Sequence, residues 1–208
     1  MRALIYTGGK INAANITERP EENDLVIAAD SGWNNAKALG AKPSILLGDF
    51  DSLGKQNLPD GPEIYQVPAE KDLTDTQLAV EMALSRGATE IVIIGGLSGR
   101  LDHTLSNLAI LEHLNEKKVY ALMTDGQNRI RFVRNSGALI PHSGFQYLGL
   151  IAADSVVKGV TVKGCKYPLE NAKLKKSYQY AVSNEVVGNC ALVEVKKGGL
   201  YIIESCDK

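Results

Sequence analysis

Two aspartates, Asp49 and Asp51, are separated by a single residue. This spacing keeps both carboxylates on the same side of the chain if the backbone is extended. Two neighbouring anions repel each other unless a cation or solvent compensates, and Mg²⁺ prefers carboxylate and phosphate oxygens as ligands. An Asp-x-Asp run is equally typical of a surface turn that leaves a strand. The pair therefore indicates a metal site only if other acidic groups lie nearby.

A second acidic segment contains Asp72 and Asp75. Thr74 and Gln77 have the spacing of a capping box, so a helix is predicted to begin at Asp75. In the first helical turn Asp75 would stabilise the helix dipole without any catalytic role. If it lies at the same sheet edge as the first pair, it becomes a candidate third metal carboxylate.

A glycine-rich segment, Gly95–His103, joins a predicted strand to a predicted helix. Backbone N–H groups in such a loop can bind phosphate, and the guanidinium of Arg100 matches phosphate oxygens. The segment has neither the G-K-[ST] of a Walker A loop nor the G-x-G-x-x-G of dinucleotide-binding proteins. A glycine loop alone has low specificity. His103 is more typical of a structural or solvated histidine, so it is not assigned as a general base.

The segments that must position these residues alternate between short apolar runs and amphipathic stretches up to about residue 125. This pattern is typical of β-α units around a mostly parallel sheet. Strands are predicted at 3–6, 25–29, 45–47, 91–94 and 119–123, and helices at 33–39, 75–86 and 102–115. Polar or glycine residues follow four of the strands, at Asp30, Asp49, Gly95-Gly96 and Thr124-Asp125. Ligands of parallel sheets bind outside the carboxyl ends of the strands, so an active site is predicted there.

The second part of the chain has β-type runs separated by glycine turns. Strands are predicted at 130–133, 146–152, 156–162, 178–182, 192–195 and 200–203. The segment Lys197–Gly199 predicts a hairpin turn between the last two. We therefore expect an α/β fold with a Rossmann-like, mostly parallel sheet and helices in a catalytic domain over residues 1–127. An all-β sandwich domain should follow over residues 128–208.

The composition excludes several classes of protein. Lys and Arg number 23 and Asp and Glu 24, and the resulting net charge of -1 gives no general attraction to nucleic acid or to anionic membranes. The three cysteines have no C-x-x-C spacing, which argues against a zinc cluster or a disulfide scaffold. The apolar run at the N-terminus is too short for a signal peptide or a membrane span, so a cytoplasmic protein is expected.

Taken in order along the chain, these segments resemble the thiamine pyrophosphokinases. The resemblance is carried by Ala29–Asn34, Gly48–Ser52, Lys71–Asp75, Gly99–His103 with Asn107, Thr124-Asp125 with Asn128, and Ser183–Glu185. It implies a homodimer whose subunits together form the thiamine pocket. It also implies Mg²⁺-dependent transfer of pyrophosphate from ATP to the hydroxyl of thiamine, which gives thiamine diphosphate and AMP.

The resemblance further implies roles for individual residues. Asp49, Asp51 and Asp75 would hold Mg²⁺, with Asp72 beside them. The nucleotide-binding set implied by the resemblance is Asp30, Gly95, Gly96, Gly99, Arg100, Thr124, Asp125 and Asn128. Asp102 would lie near the reacting centre, and either Asp72 or Asp102 could accept the hydroxyl proton. Ser183 and Asn184 would line the thiamine pocket.

The chain departs from the family pattern at two places. A D-G-G-A-N run is common in the family where this chain has Asp30-Ser31-Gly32-Trp33-Asn34, and Ser-Thr is usual where it has Ala181-Val182. Two other functions remain open on the residues alone. A metal-dependent phosphohydrolase would use the acidic cluster to activate water. A non-catalytic nucleotide or thiamine sensor would bind without forming AMP, although simple binding needs no cluster of three or four anions.

Overall fold

The structure, a computed structural model, describes residues 1–50, 60–68 and 72–207. The chain divides into two compact units, residues 1–126 and residues 127–208. The first unit contains all three described helices and six parallel strands, and the second contains seven strands. The predicted combination of an α/β fold and an all-β fold is confirmed.

The first unit is built on a parallel sheet with the order β4-β3-β2-β1-β5-β6. Its strands are β1 (Arg2–Tyr6), β2 (Leu25–Ala29), β3 (Ile45–Gly48), β4 (Glu63–Gln66), β5 (Glu90–Ile94) and β6 (Tyr120–Thr124). Strands β1 and β5 are buried almost end to end, as expected for parallel strands covered on both faces. From β1 the chain extends the sheet in one direction through β4, and β5 then pairs on the other side of β1. This reversal creates a topological switch point between β1 and β5.

Three helices connect these strands: α1 (Gly32–Ala38), α2 (Asp75–Ser85) and α3 (Leu101–Glu116). Gly40 and Gly87 follow the first two helices with φ angles of 69° and 83°, the left-handed conformation predicted for these stop signals. The described helices do not include one with the length and apolar character needed to cross a membrane.

The capping box predicted at the start of α2 is confirmed. Gln77 N donates to Thr74 Oγ1 at 3.2 Å, and Thr74 N donates to Gln77 Oε1 at 2.9 Å. Each bond satisfies a backbone donor at the start of the helix that would otherwise lack an intrahelical partner. The capping box therefore fixes where the loop that carries Asp72 becomes the helix that begins with Asp75.

Replacing Thr74 by Ala should lower the free energy of unfolding by about 1 kcal/mol, because the helix loses its N-cap acceptor. Urea denaturation followed by circular dichroism measures this loss. Thr74→Ser keeps the hydroxyl and should remain close to the parent protein. Equal stability of the Ala variant and the parent would contradict a stabilising role for the cap.

The second unit is a sandwich of two antiparallel sheets. One sheet has the order β7-β13-β9, and the other has the order β11-β10-β12-β8. Their bounds are β7 (Asn128–Arg134), β8 (Gly137–Pro141), β9 (Tyr147–Ala152), β10 (Val156–Lys163), β11 (Leu169–Lys175), β12 (Cys190–Lys197) and β13 (Gly199–Ser205). Leu150 and Ile202 from the first sheet share one core with Val160 and Val193 from the second. The two inner faces therefore bury each other's apolar side chains.

The predicted hairpin at Lys197–Gly199 is wrong. Strand β12 pairs with β10 and β8, whereas β13 pairs with β7 and β9, so the turn crosses from one sheet to the other. Gly198 makes the crossing with φ 108°, and its N–H donates to Asn135 Oδ1 at 2.8 Å. Glycine and turn residues signal a sharp change of direction, but they do not determine which strands pair afterwards.

The predicted strand at 178–182 is also wrong, because this segment is irregular. Ala152 N donates to the side-chain Oε1 of Gln179 at 3.2 Å, and Gln179 Nε2 donates back to Ala152 O at 3.3 Å. A side-chain amide thus occupies the backbone groups of Ala152 that a neighbouring strand would use, although Leu150 N in the same strand donates to Ala181 O at 2.7 Å. Strands β4, β8 and β11 were not predicted.

Candidate active site

A polar cavity of about 580 Å³ lies at the carboxyl ends of the parallel strands in the first unit. Loops after β1, β2, β3 and β5 form its wall together with the start of α2. The lining residues are Thr7, Gly8, Gly9, Ala29, Asp30, Ser31, Asp49, Asp72, Leu73, Thr74, Asp75, Thr76, Gly96, Ser98, Arg100 and His103. Polar or glycine residues after four strands were predicted to converge at this sheet edge. Those after β2, β3 and β5 line the cavity, and those after β6 do not.

Four of the predicted site carboxylates line this cavity: Asp30, Asp49, Asp72 and Asp75. Asp51, predicted as a metal ligand, lies outside the described residues. Within the described part of the chain, no three His, Cys, Asp or Glu side chains are placed so that they could hold a metal ion. Mg²⁺ commonly takes only one or two protein carboxylates and completes its shell with water and substrate phosphates. The oxygen donors in the wall fit such a site.

Phe50, which follows Asp49, determines where that carboxylate stands. Its backbone has φ 61°, and its side chain is fully buried in a cluster with Ala28 and Leu46. A left-handed conformation is uncommon for a bulky residue and persists only where packing enforces it. The backbone at Phe50 is therefore not extended. The expectation that Asp49 and Asp51 point to the same side of the chain required an extended backbone, so it does not hold.

The loop after β1, Thr7–Gly9, belongs to the cavity wall but was missed in the sequence. Asn35 in α1 fixes this loop, because its Nδ2 donates to Thr7 O at 2.7 Å and to Gly9 O at 3.0 Å. Gly9 has φ 98°, and a β-carbon there would lie 2.7 Å from Ser98 Oγ. The available signal was positional, since Gly8-Gly9 follows the first apolar strand just as Gly95-Gly96 follows a later one.

The glycines after β5 pack tightly against the loop after β1. Gly95 N donates to Thr124 O at 2.8 Å, and Gly96 N donates to Gly8 O at 2.9 Å. The side chain of Asn107, buried in α3, donates to Gly96 O at 2.9 Å. These two N–H groups therefore donate to backbone carbonyls of the protein. The glycines allow the loop after β5 to lie close to the backbone of its neighbours. Gly99, with φ 92°, faces open space.

Arg100 and Asp102 form a bidentate ion pair at the edge of the cavity. Arg100 Nη2 lies 2.6 Å from Asp102 Oδ2, and Arg100 Nε lies 3.2 Å from Asp102 Oδ1. Hydrogen bonding from Arg100 lowers the pKa of the Asp102 carboxyl below its ordinary value. The side chains are 74% and 64% exposed, so the pair contributes little stability and an incoming anion can compete for the guanidinium.

Five of the eight predicted nucleotide-binding residues are not in the described cavity wall: Gly95, Gly99, Thr124, Asp125 and Asn128. Thr124 and Asp125 are buried at the end of β6, and among the described residues they are not in the cavity wall. Thr124 Oγ1 accepts a hydrogen bond from Gly126 N at 3.1 Å, and Asp125 O accepts one from Asn12 N at 2.7 Å. Asn128 begins β7 in the second unit, opposite Ser205.

The two predicted thiamine-pocket residues, Ser183 and Asn184, line different cavities of the second unit. Asn184 lines an apolar cavity of about 130 Å³ with Tyr167 and Tyr180. Ser183 lines a more open cavity of about 460 Å³, and Val182 borders both. The segment therefore presents neighbouring residues to two separate spaces.

The amide of Asn184 is engaged by the backbone of Tyr167. Its Oδ1 accepts from Tyr167 N at 2.9 Å, and its Nδ2 donates to Tyr167 O at 2.7 Å. Lys166 Nζ also lies 2.8 Å from Glu185 Oε1, which ties the same two segments together. Asn184 thus holds the Tyr167 segment at the wall of the apolar cavity.

The departures from the family pattern in the loop after β2 are accommodated by the fold. Ser31 adopts an ordinary right-handed helical conformation as the N-cap of α1, so glycine is not required there. Gly32 is required, because a β-carbon would lie 2.0 Å from Tyr6 O. Trp33 packs against the cluster of Ala28, Leu46 and Phe50.

The fold and the cavity define an α/β protein whose site suits a metal-bound, phosphate-bearing ligand. Residues 17–123 match the family described as thiamin pyrophosphokinase, catalytic domain. Residues 129–200 match thiamin pyrophosphokinase, vitamin B1 binding domain. The chain belongs to the thiamin pyrophosphokinase family of enzymes.

Similar proteins extend over the whole chain. A thiamine pyrophosphokinase of Bacillus subtilis is 30% identical, with 98% of each chain covered. The crystal structure of a Bacillus subtilis thiamine pyrophosphokinase superposes with a TM-score of 0.88 at 28% identity and covers 100% of both chains. The thiamin pyrophosphokinase structure from Geobacillus thermodenitrificans gives 0.85 at 26% identity, with 100% of this chain and 99% of that chain covered.

Proposed function

We propose that the chain catalyses Mg²⁺-dependent transfer of the pyrophosphoryl group of ATP to the hydroxyl of thiamine. The products are thiamine diphosphate and AMP. The observation that carries this proposal is the cavity at the switch point, where four carboxylates, Arg100 and closely packed glycine loops converge. Transfers of this type depend on positioning and charge stabilisation more than on covalent chemistry.

Asp49 and Asp75 would hold Mg²⁺, and Asp72 would stand beside them. When bound, the ion neutralises charge on the phosphate oxygens and orients them. The buried side chain of Phe50 keeps Asp49 in the wall, and the capping box keeps Asp75 at the start of α2. These two anchors hold the carboxylates in place before substrate arrives, which limits the reorganisation needed during reaction.

Arg100 would exchange its ion pair with Asp102 for an ion pair with the phosphate chain, because the phosphate chain carries more negative charge than one carboxylate. A guanidinium forms two parallel bonds with a phosphate group as readily as with a carboxylate. The position of each carboxylate bears on which one accepts the proton of the thiamine hydroxyl. Asp102 lies outside the described cavity wall, whereas Asp72 lies in the wall. We therefore assign proton acceptance to Asp72.

The second unit would supply the thiamine pocket, and the first unit would bind metal and nucleotide. The family match over residues 129–200 supports this division, as does the apolar cavity beside Asn184. A homodimer that completes the pocket and a cytoplasmic location belong to the same proposal. The homodimer follows from the family resemblance, and the three cysteines without disulfide spacing suit a reducing compartment.

Asn184→Asp should raise the KM for thiamine about tenfold, because loss of one hydrogen bond to Tyr167 costs about 1–1.5 kcal/mol. The KM for ATP should not change, since Asn184 lies in the second unit. Steady-state kinetics with each substrate varied in turn separates the two effects. Asn171→Asp, on exposed β11, is the matched control and should match the parent. An unchanged KM for thiamine would remove Asn184 from the pocket.

The proposed reaction is tested by measuring AMP with and without thiamine in the presence of ATP and Mg²⁺. AMP that forms only when thiamine is present supports the transferase. Nucleotide consumed at the same rate without thiamine would instead indicate a phosphohydrolase. Binding of both ligands with no AMP in either reaction would indicate a sensor.

A further inference from the structure

A buried pair of hydroxyl groups lies in the wall of the cavity and has no assigned role. Thr7 Oγ1 and Thr76 Oγ1 are 2.8 Å apart. The two residues are 7% and 6% exposed. Thr7 follows β1 and Thr76 stands in the first turn of α2, so the bond joins the central strand to the start of that helix.

The two hydroxyl groups carry two protons but share one hydrogen bond. Each threonine hydroxyl has one proton to donate, and one proton suffices for the bond between the two oxygens. In the described part of the chain, this bond is the one hydrogen bond that either hydroxyl makes. One hydroxyl therefore keeps a proton that no described residue accepts, and this proton is available to an acceptor in the cavity.

The cavity is the side from which an acceptor can arrive. Thr7 and Thr76 both line it, between the glycines of the loop after β1 and the start of α2. The amino end of α2 carries a partial positive charge, which favours an anionic oxygen at this place. Carboxylates cannot donate hydrogen bonds, so the hydroxyl pair complements the acidic residues of the same wall.

We propose that the Thr7–Thr76 pair donates a hydrogen bond to a phosphate oxygen of the nucleotide. This inference rests on the proposed function, because it requires the nucleotide to occupy the cavity. The pair is a binding element: one threonine donates to the other, and the second donates to the phosphate chain. Without ligand, the bond between the hydroxyls keeps both side chains in place.

The double variant T7V/T76V tests the pair, because it removes both hydroxyls with little change in shape. Replacing both partners of a buried hydrogen bond leaves no orphaned group, so thermal stability should stay near that of the parent. The probe is Mg²⁺ with α,β-methylene-ATP, whose bridging bond is not cleaved. Isothermal titration calorimetry should show affinity about tenfold lower, the loss expected for a hydrogen bond to a charged group.

The double variant T7S/T76S keeps both hydroxyls and should bind the probe like the parent. Equal affinity of T7V/T76V and the parent would overturn the inference and leave the pair as a structural clamp. An equal loss in T7S/T76S would also overturn it, since the methyl groups would then be responsible. If T7V/T76V does not fold, T7V and T76V singly replace it, and the inference requires one of them to lose affinity.

The same titration separates this inference from the proposed function. A parent protein that binds no probe would remove nucleotide binding itself, and the inference would fall with it. A parent that binds, together with an unaffected T7V/T76V variant, would remove the hydroxyl pair alone.

Discussion

Asp75→Asn should lower the turnover of ATP and thiamine about 1,000-fold while leaving the fold intact. Charge stabilisation centred on a metal contributes several kcal/mol to the transition state, and each ~1.4 kcal/mol is a factor of ten in rate. Asparagine has nearly the same shape but carries no charge, so the expected effect is on Mg²⁺ affinity and on kcat. Initial rates of AMP formation over a range of Mg²⁺ concentrations measure both.

The control for Asp75→Asn must account for the helix dipole. Losing a negative charge in the first turn of α2 costs about 0.3–1 kcal/mol of stability by itself. Glu81→Gln removes a charge from the same helix, where Glu81 pairs with His113 on an exposed surface. It should retain parental turnover. Near-parental turnover of Asp75→Asn at ordinary Mg²⁺ concentrations would contradict a metal role and leave Asp75 as a structural residue.

Arg100→Ala should lower kcat/KM for ATP about 100- to 1,000-fold, since removing one group that stabilises transition-state charge has effects of this size. Arg100→Lys should recover little, because an ammonium group cannot form two parallel bonds with a phosphate group. The fold should be unaffected, as the Arg100 side chain is mostly exposed and its pair with Asp102 is a surface pair. Steady-state kinetics with ATP varied at saturating thiamine measures the change.

Arg86→Ala is the matched control for Arg100→Ala. Arg86 pairs with Glu63 at 3.2 Å on the surface of the same unit and does not line the described cavity. It removes the same charge and should leave kcat/KM unchanged. Comparable losses in the two variants would indicate that net charge is responsible. Parental kinetics for Arg100→Ala would remove Arg100 from the phosphate site.

The strands of the parallel sheet were predictable because burial on both faces makes them continuous apolar runs, as in β2 and β5. The three strands that were missed, β4, β8 and β11, all lie at the edge of a sheet. Edge strands face solvent and carry polar residues, as the sequence Leu-Glu-Asn-Ala-Lys-Leu-Lys of β11 shows. Their pairing depends on neighbours that are distant in sequence.

The part of the site that follows the strands could be predicted from position, because parallel strands bring their carboxyl ends together. This accounts for Asp30, Asp49 and Arg100. The hydrogen bond between Thr7 and Thr76 could not be predicted, because it joins residues 69 positions apart. Asn35, which fixes the loop after β1, has no distinguishing neighbours in the sequence and acquires its partners only when α1 packs beside that loop.

The function of the glycines in the loop after β5 could not be predicted from the sequence. Their N–H groups were expected to bind phosphate, but those of Gly95 and Gly96 donate to Thr124 O and Gly8 O. Glycine permits close approach of the backbone both to a ligand and to a neighbouring loop, and sequence alone does not distinguish these uses.

The most direct test of the proposed reaction follows the β-phosphorus of ATP. The purified protein is incubated with Mg²⁺, thiamine and ATP labelled at the β-position, and the products are separated. Pyrophosphoryl transfer predicts that the label appears in thiamine diphosphate, with one unlabelled AMP formed per labelled product. Label that remains in ADP would indicate transfer or hydrolysis of the terminal phosphate alone, and would contradict the proposed reaction.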